Sequence, residues 1–501
     1  MEFPASDFGI LGDLSAIAPQ LILAFGALFL LMAEVFVRRP WPRHVFALVF
    51  LAAAFAATFR SAAYYGTQVE TLFSGLLYVD TFSLFFNALI ILGTFVVVLI
   101  SGHRIAAEGV ESPAEYFSLL LMSTLGAIIF VSAAEGVVLF IGLELMSLAL
   151  YCLCGSGLAV RRSGESALKY FLLGSFASAF LLYGIALLYG LTGSTEIIVI
   201  QQALADKQLF DNPLLYFAIG LLLIGFAFKV GAVPFHFWAP DVYQGAPTSI
   251  TSYMACVVKA AAVGAMLRVM WTSFSFGEVF SAWSDFVWLL AIATMTLGNL
   301  CALRQKSLKR MLAYSSIAHA GYILVAFLAP GAAGGGAAIL FYLCTYTVMT
   351  LGAFGVVLAV SERFGDDPAA DNISHFNGLG YARPMLGIAM SLFMLSLAGL
   401  PPGFAGLLGK FYLLNAAVKA NYIGLAIIAV LNSTVSCFYY LNVIVAMYFR
   451  PTSDSELEAN RSIVMGPLTA SGLSLCAAGT VLLGLFPSYV YRLSEWAVSS
   501  F

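Results

Sequence analysis

The chain has 501 residues, of which 61% are hydrophobic and only 10% charged, with a formal net charge of −3 and a mean hydropathy of +0.95. No soluble globular domain has that balance, so the chain is expected to be an all-α polytopic membrane protein whose surroundings are the lipid bilayer. One integral membrane domain fills residues 1–501 in this reading, no soluble domain is appended, and no nucleic-acid partner is expected.

The N-terminal stretch MEFPASDFGILGDLSAIAP lacks a basic segment and carries Glu2, Asp7 and Asp13. A cleavable signal peptide needs the opposite charge there, so the first span is expected to be retained. Membrane crossing takes about 20 mostly apolar residues. Apolar runs bounded by charges and breakers predict fourteen spans, near 16–37, 44–65, 80–101, 115–133, 137–158, 166–191, 213–238, 248–271, 285–303, 309–329, 336–361, 384–417, 421–449 and 463–488.

Basic residues sort these spans by direction. With the N-terminus outside, fifteen Lys and Arg fall in inner connectors: Arg38, Arg39, Arg43, Arg104, Arg161, Arg162, Lys169, Arg304, Lys306, Lys309, Arg310, Arg363, Arg383, Arg450 and Arg461. Five fall outside: Arg60, Lys207, Arg268, Lys419 and Arg492. Losing one span would scramble that alternation, so both termini are expected on the outer side.

Spans four to eight (115–271) and nine to thirteen (285–449) form two groups of five. An odd-numbered unit reverses direction in its second copy, which makes the pair an inverted repeat with polar sites near the midplane. Each unit holds a long span interrupted at a corresponding place, by Gly231 and Pro234 in span seven and by Gly399, Pro401, Pro402 and Gly403 in span twelve. Broken helices at membrane depth need protein or water against them.

The chemistry lies in a few ionisable residues inside apolar sequence. A lysine at the bilayer centre costs about 2.5–3.5 kcal/mol, so each buried lysine needs a reason. Glu144, in VVLFIGLELMSLALYCLCG, lies about seven residues into its span, and its natural partner is Lys229. The two are either a structural ion pair or a proton-handling pair, because burial disfavours the ammonium and a nearby carboxylate favours it. His236 follows Lys229 by seven residues, two turns along one face if the helix is continuous. It is either a satisfied hydrogen-bonding residue at a helix break or a relay toward Lys259, since histidine titrates near neutral pH.

Lys259 has no partner in its own span and sits too deep to snorkel. His319, in RMLAYSSIAHAGYILVAF, either packs in the core or bridges Lys259 to Lys410. Lys410, in LSLAGLPPGFAGLLGKFYLL, stands past the second break and is read as the second-unit counterpart of Lys229. Lys306, Lys309 and Arg310 read as a solvated inner cluster with no chemistry.

The seven cysteines fit neither a zinc site nor an iron–sulfur spacing, so no metal site and no redox centre are expected. No phosphate loop, dinucleotide fingerprint or nucleophile elbow occurs, so energy must arrive from outside the chain. The 14% aromatic content is assigned to lipid-facing and interfacial packing.

In combination, KVGAVPFHFWAPDVYQGAPT, the Lys259 span, RQKSLKRMLAYSSIAHAGY and GLPPGFAGLLGKF resemble the antiporter-like membrane subunits of respiratory complex I, across roughly residues 80–450. Three features point to one branch of that family and away from its other members and from multisubunit sodium/proton antiporters. These are the connector PDVYQGAPT, a lysine at the second-unit site, and a chain that ends soon after span fourteen. The resemblance implies that Glu144 and Lys229 form the buried acid–lysine pair, with Lys259 central and Lys410 terminal in a proton-translocating row. It also implies a bacterial inner-membrane complex with an antiporter-like paralogue and small membrane-arm subunits as partners. NADH, FMN, iron–sulfur clusters and quinone would then belong to other subunits, with no cofactor on this chain. The alternative function is a cation/proton antiporter subunit without a redox partner.

Overall fold

The computed structural model describes residues 14–37, 41–65, 70–102, 104–158, 161–207, 209–361 and 371–499. Glu2, Asp7 and Asp13, and the inner-side Arg38, Arg39 and Arg363, lie outside these residues.

The main helices are α1 (Ala18–Phe36), α2 (Arg43–Tyr65), α3 (Thr81–Ser101), α4 (Pro113–Ser132), α5 (Gly136–Cys154), α6 (Arg161–Thr192) and α7 (Ile197–Lys207). They continue as α8 (Pro213–Val230) and α9 (Trp238–Gly245), then α10 (Thr248–Phe274). The second half holds α11 (Gly277–Ala302), α12 (Leu308–Phe327), α13 (Gly335–Ser361), α14 (Pro384–Ala398), α15 (Phe404–Lys419) and α16 (Ile423–Tyr448). The chain closes with α17 (Asp454–Arg461), α18 (Pro467–Leu485) and α19 (Pro487–Val498).

Among the described residues, twelve helices are long and apolar enough to cross a membrane. The two other expected spans exist as helices that fall short of that criterion. Serines, tyrosines and His319 lower the hydropathy of α12, and the break leaves α14 with 15 residues and α15 with 16. One departure from the all-helical expectation is a small antiparallel hairpin, Glu70–Leu72 with Leu77–Val79. Its turn carries Phe73, Ser74 and Gly75 at positive φ.

The most apolar window of α10 is buried along its whole length, and that of α13 nearly so. Helices apolar all round belong in the centre of such an assembly, with the half-exposed α1, α2 and α18 toward its rim. α10 is not uniform, because Met254–Val258 forms one π-helical turn immediately before Lys259. Such a turn rotates the residues after it relative to those before, and single π turns are frequent at functional sites.

Two of the charge assignments need correction. Arg268, expected in an outer connector, is buried on α10, because that helix runs on to Phe274. Its guanidinium grips Asp80 with both forks, at 2.5 and 2.9 Å, the bidentate geometry that favours arginine for buried pairs. Lys309, expected in a solvated cluster, is buried at the start of α12 and donates to Ala246 O at 2.7 Å. A periodic pattern gives depth along a helix but not which neighbour stands opposite.

Candidate functional site

Both interrupted spans end in the same local way. α8 stops at Gly231 with φ of 78°, and α14 at Gly399 with φ of 81°, the left-handed region that a Cβ disfavours. In each the next residue closes the turn, Ala232 N onto Ala227 O at 2.8 Å and Leu400 N onto Leu395 O at 3.0 Å. Both leave carbonyls near the end of the helix that membrane depth does not allow to go unpaired.

Lys229 sits in the last turn of α8, where the helix dipole favours a cation. Its Nζ donates to Ser147 Oγ at 2.7 Å and to Tyr170 OH at 3.4 Å, and lies 5.4 Å from the Tyr170 ring centroid. Glu144 stands one turn before Ser147 on α5. It is not ion-paired with Lys229, and its Oε1 is buried with no hydrogen-bond partner among the described residues. Ser147 and Tyr170 thus hold the ammonium.

His236 lies in the break between α8 and α9. Because α8 ends at Val230, the continuous face that would have aligned His236 with Lys229 does not exist. Its ring packs on Phe237 at 4.6 Å, its Nδ1 is buried without a hydrogen-bond partner among the described residues, and neither lysine contacts it. Aromatic side chains instead lead away from Lys229 along α9. Tyr170 stacks on Trp238 at 4.6 Å, and Trp238 meets Tyr243 at 6.0 Å. Trp238 Nε1 also donates to Phe228 O at 3.0 Å, satisfying a carbonyl of the broken helix.

Lys259 Nζ donates to Ser316 O at 2.5 Å and also to Ser316 Oγ, and lies 5.6 Å from the Tyr346 ring centroid. His319, one turn past Ser316 on α12, is fully buried. It shares Nδ1 with Tyr342 OH and meets Tyr440 OH through Nε2 at 2.9 Å. Its ring lies 5.1 Å from Tyr346 and 5.8 Å from Tyr322. Lys410 completes the row from α15, donating to Ala398 O and Ser433 Oγ, each at 2.9 Å, with Tyr322 at 5.1 Å. Each ammonium therefore has hydroxyl or carbonyl acceptors and an aromatic face, and cation–π contacts of this kind are worth about 0.5–2 kcal/mol.

The connector between Lys229 and Lys259 is tied down by charge. Asp241 on α9 pairs with Lys169 at 3.0 Å and Arg310 at 2.7 Å. Glu108 accepts from Ser249 Oγ at 2.5 Å and from the amide of Thr248, at the start of α10. Burial pushes the Glu108 carboxyl above its ordinary range, against the pull of Ser249, Lys309 and the two backbone amides. Sequence reasoning missed this clamp, and it missed the buried tyrosines by assigning aromatics to the lipid interface. Tyr170, Tyr342, Tyr346 and Tyr440 are all fully buried. Among the described residues, no three or more His, Cys, Asp or Glu side chains are grouped so that they could hold a metal ion.

Comparison with known proteins agrees with these features. Residues 133–436 match the family model described as NADH:quinone oxidoreductase/Mrp antiporter, transmembrane. NADH-quinone oxidoreductase subunit N of Trichlorobacter lovleyi is 43% identical, the match covering 97% of each chain. Subunit N 1 of Sorangium cellulosum is 41% identical over 96% of this chain and 97% of its own. A chain of respiratory complex I from Thermus thermophilus, solved with bound aureothin, superposes with a TM-score of 0.78 at 34% identity, covering 95% of this chain and 98% of that one. The branch to which the connector and the second-unit lysine pointed is therefore the right one. The chain belongs to the NADH-quinone oxidoreductase subunit N family, within the complex I and Mrp antiporter membrane subunits.

Proposed function

We propose that this chain is a proton-translocating membrane-arm subunit of a redox-driven NADH:quinone oxidoreductase. The observation that carries the reading is the buried row itself. Lys229, Lys259 and Lys410 lie inside the protein, none is ion-paired with a described carboxylate, and each is surrounded by aromatic and hydroxyl side chains. A structural ion pair would hold its lysine in one charge state. These lysines, held by neutral acceptors, can release a proton when a charge such as Glu144 moves.

In this reading Glu144 loads Lys229, and the proton passes to Lys259 and through His319 to Lys410. Ten of the fourteen spans form two inverted units, 115–271 and 285–449, and both termini lie on the outer side of a bacterial inner membrane. An antiporter-like paralogue and small membrane-arm subunits flank the chain. Electron transfer through NADH, FMN, iron–sulfur clusters and quinone takes place on other subunits, and this chain performs no redox step.

The test replaces Lys229 or Lys259 with alanine in the assembled enzyme and follows NADH-driven proton uptake in inverted membrane vesicles. Proton uptake falls while quinone reduction persists if the row carries protons. Unchanged uptake at unchanged quinone reduction would refute it. An antiporter without a redox partner would instead show sodium-dependent growth rescue.

A further inference from the structure

Asn299, near the end of α11, is wholly enclosed although its side chain is polar. An amide offers two donor hydrogens and an acceptor oxygen, and burying it is costly unless they are paired. Here all are engaged. Its Nδ2 donates to Tyr322 OH at 3.2 Å, to Asn432 O at 3.1 Å and to Asn432 Oδ1 at 3.3 Å, and its Oδ1 accepts from Tyr439 OH at 2.9 Å. The seam around it is tight. A Cβ at Gly298 would lie 2.8 Å from Ala318 N, so α11 meets the backbone of α12 immediately before His319.

All three partners adjoin the second half of the row. Tyr322 presents its ring to the Lys410 ammonium at 5.1 Å and stands edge-on to His319 at 5.8 Å. Asn432 precedes Ser433, whose hydroxyl accepts from Lys410 at 2.9 Å. Tyr439 precedes Tyr440, whose hydroxyl meets His319 Nε2 at 2.9 Å. One amide thus ties α12 and α16 together beside the points from which they hold His319 and Lys410.

The geometry points to Asn299 as the positioning residue for Lys410, acting through Tyr322 and α16 with no bond to the lysine itself. This rests on the proton-translocation reading above and names the group that holds its last buried site in place. A lysine ends a flexible four-carbon stem, so the place of its ammonium is set by what receives it. A phenol fastened at its oxygen keeps its ring on the ammonium, and a helix fastened at residue 432 keeps Ser433 within reach of it. Buried polar networks that are fully satisfied fix one arrangement in this way. The Asn299 amide does not ionise, so the frame it makes is the same whether Lys410 carries its proton or has released it.

The experiment compares Asn299→Leu, Tyr322→Phe, Lys410→Ala and the double variant Asn299→Leu with Lys410→Ala, measuring protons taken up per NADH oxidised in inverted vesicles. That ratio reads only enzyme that has assembled and turns over, so a merely structural role would lower the amount of complex and leave the ratio untouched. Asn299→Leu removes the amide and keeps an apolar side chain of similar length. Its ratio is expected to drop toward the Lys410→Ala level with NADH oxidation retained. The double variant is expected to fall no lower than Lys410→Ala alone, because residues that act through one site are not additive. A wild-type ratio for Asn299→Leu beside a low ratio for Lys410→Ala overturns the proposal and leaves the general reading standing, and so does a double variant below Lys410→Ala. A wild-type ratio for Lys410→Ala overturns both. Should Asn299→Leu fail to assemble, Tyr322→Phe decides: it keeps the ring and removes the oxygen bonded to Asn299, so a lowered ratio supports the positioning role and a wild-type ratio rejects it.

Discussion

The two helix breaks share a glycine cap of the same hand and differ in what closes the broken end. At the first, Trp238 reaches back to Phe228 O, and the nearby Lys229 turns its ammonium outward to Ser147 and Tyr170. At the second, Lys410 itself donates to Ala398 O, the last residue of α14 before Gly399. Lys229 precedes its break and Lys410 follows its own, so the two lysines are not in equivalent local positions. The first lysine is thus held by side-chain hydroxyls, whereas the second is bonded to the backbone of the break it follows.

That contrast can be broken at several points, taken here from the largest effect down. Lys229→Ala is expected to abolish proton uptake with assembly of the complex preserved, because its partners are hydroxyls that can pair elsewhere. Blue-native gels together with vesicle pumping read both quantities. Lys410→Ala leaves the buried Ala398 carbonyl without its lysine donor, at about 1–3 kcal/mol, so the amount of assembled complex should fall along with pumping. Loss of pumping with full assembly at Lys410 would erase the difference between the breaks.

Trp238→Phe keeps the ring and removes the donor to Phe228 O. Lys229 should then be drawn toward that carbonyl, at a net cost of about 1 kcal/mol and with a partial loss of pumping. The smallest difference is the one between the two capping glycines. Alanine at either costs roughly 1–2 kcal/mol for a left-handed backbone. Its Cβ has open space at Gly231, with only Ile317 at 3.9 Å, and meets Lys410 Cδ at 3.3 Å at Gly399. Thermal unfolding of the purified complex should therefore rank Gly399→Ala below Gly231→Ala.

Much of this arrangement was legible in the sequence, and the remainder has physical reasons for being hidden. Glycine and proline at 231, 234, 399, 401 and 402 mark the breaks because few other residues tolerate those backbones. Lysines at 229, 259 and 410 stand out because hydrocarbon penalises charge. Partners, in contrast, depend on helix azimuth and on contacts far apart in sequence. Arg268 finds Asp80 across 188 positions, and Lys259 finds Ser316 across 57, neither of which any local pattern encodes. The π-helical turn before Lys259 leaves no signature in MACVV, and it shifts the face on which the lysine emerges. For a related reason His236 does not share a face with Lys229, since the two-turn spacing needs a continuous helix and Gly231 ends it.

Lys259, between the two breaks, gives the most direct test of the central claim that protons cross this chain along its buried row. The measurement is protons taken up per NADH oxidised by inverted vesicles carrying the fully assembled Lys259→Ala enzyme. The account predicts a clear drop in that ratio with quinone reduction still running, and an unchanged ratio would contradict it.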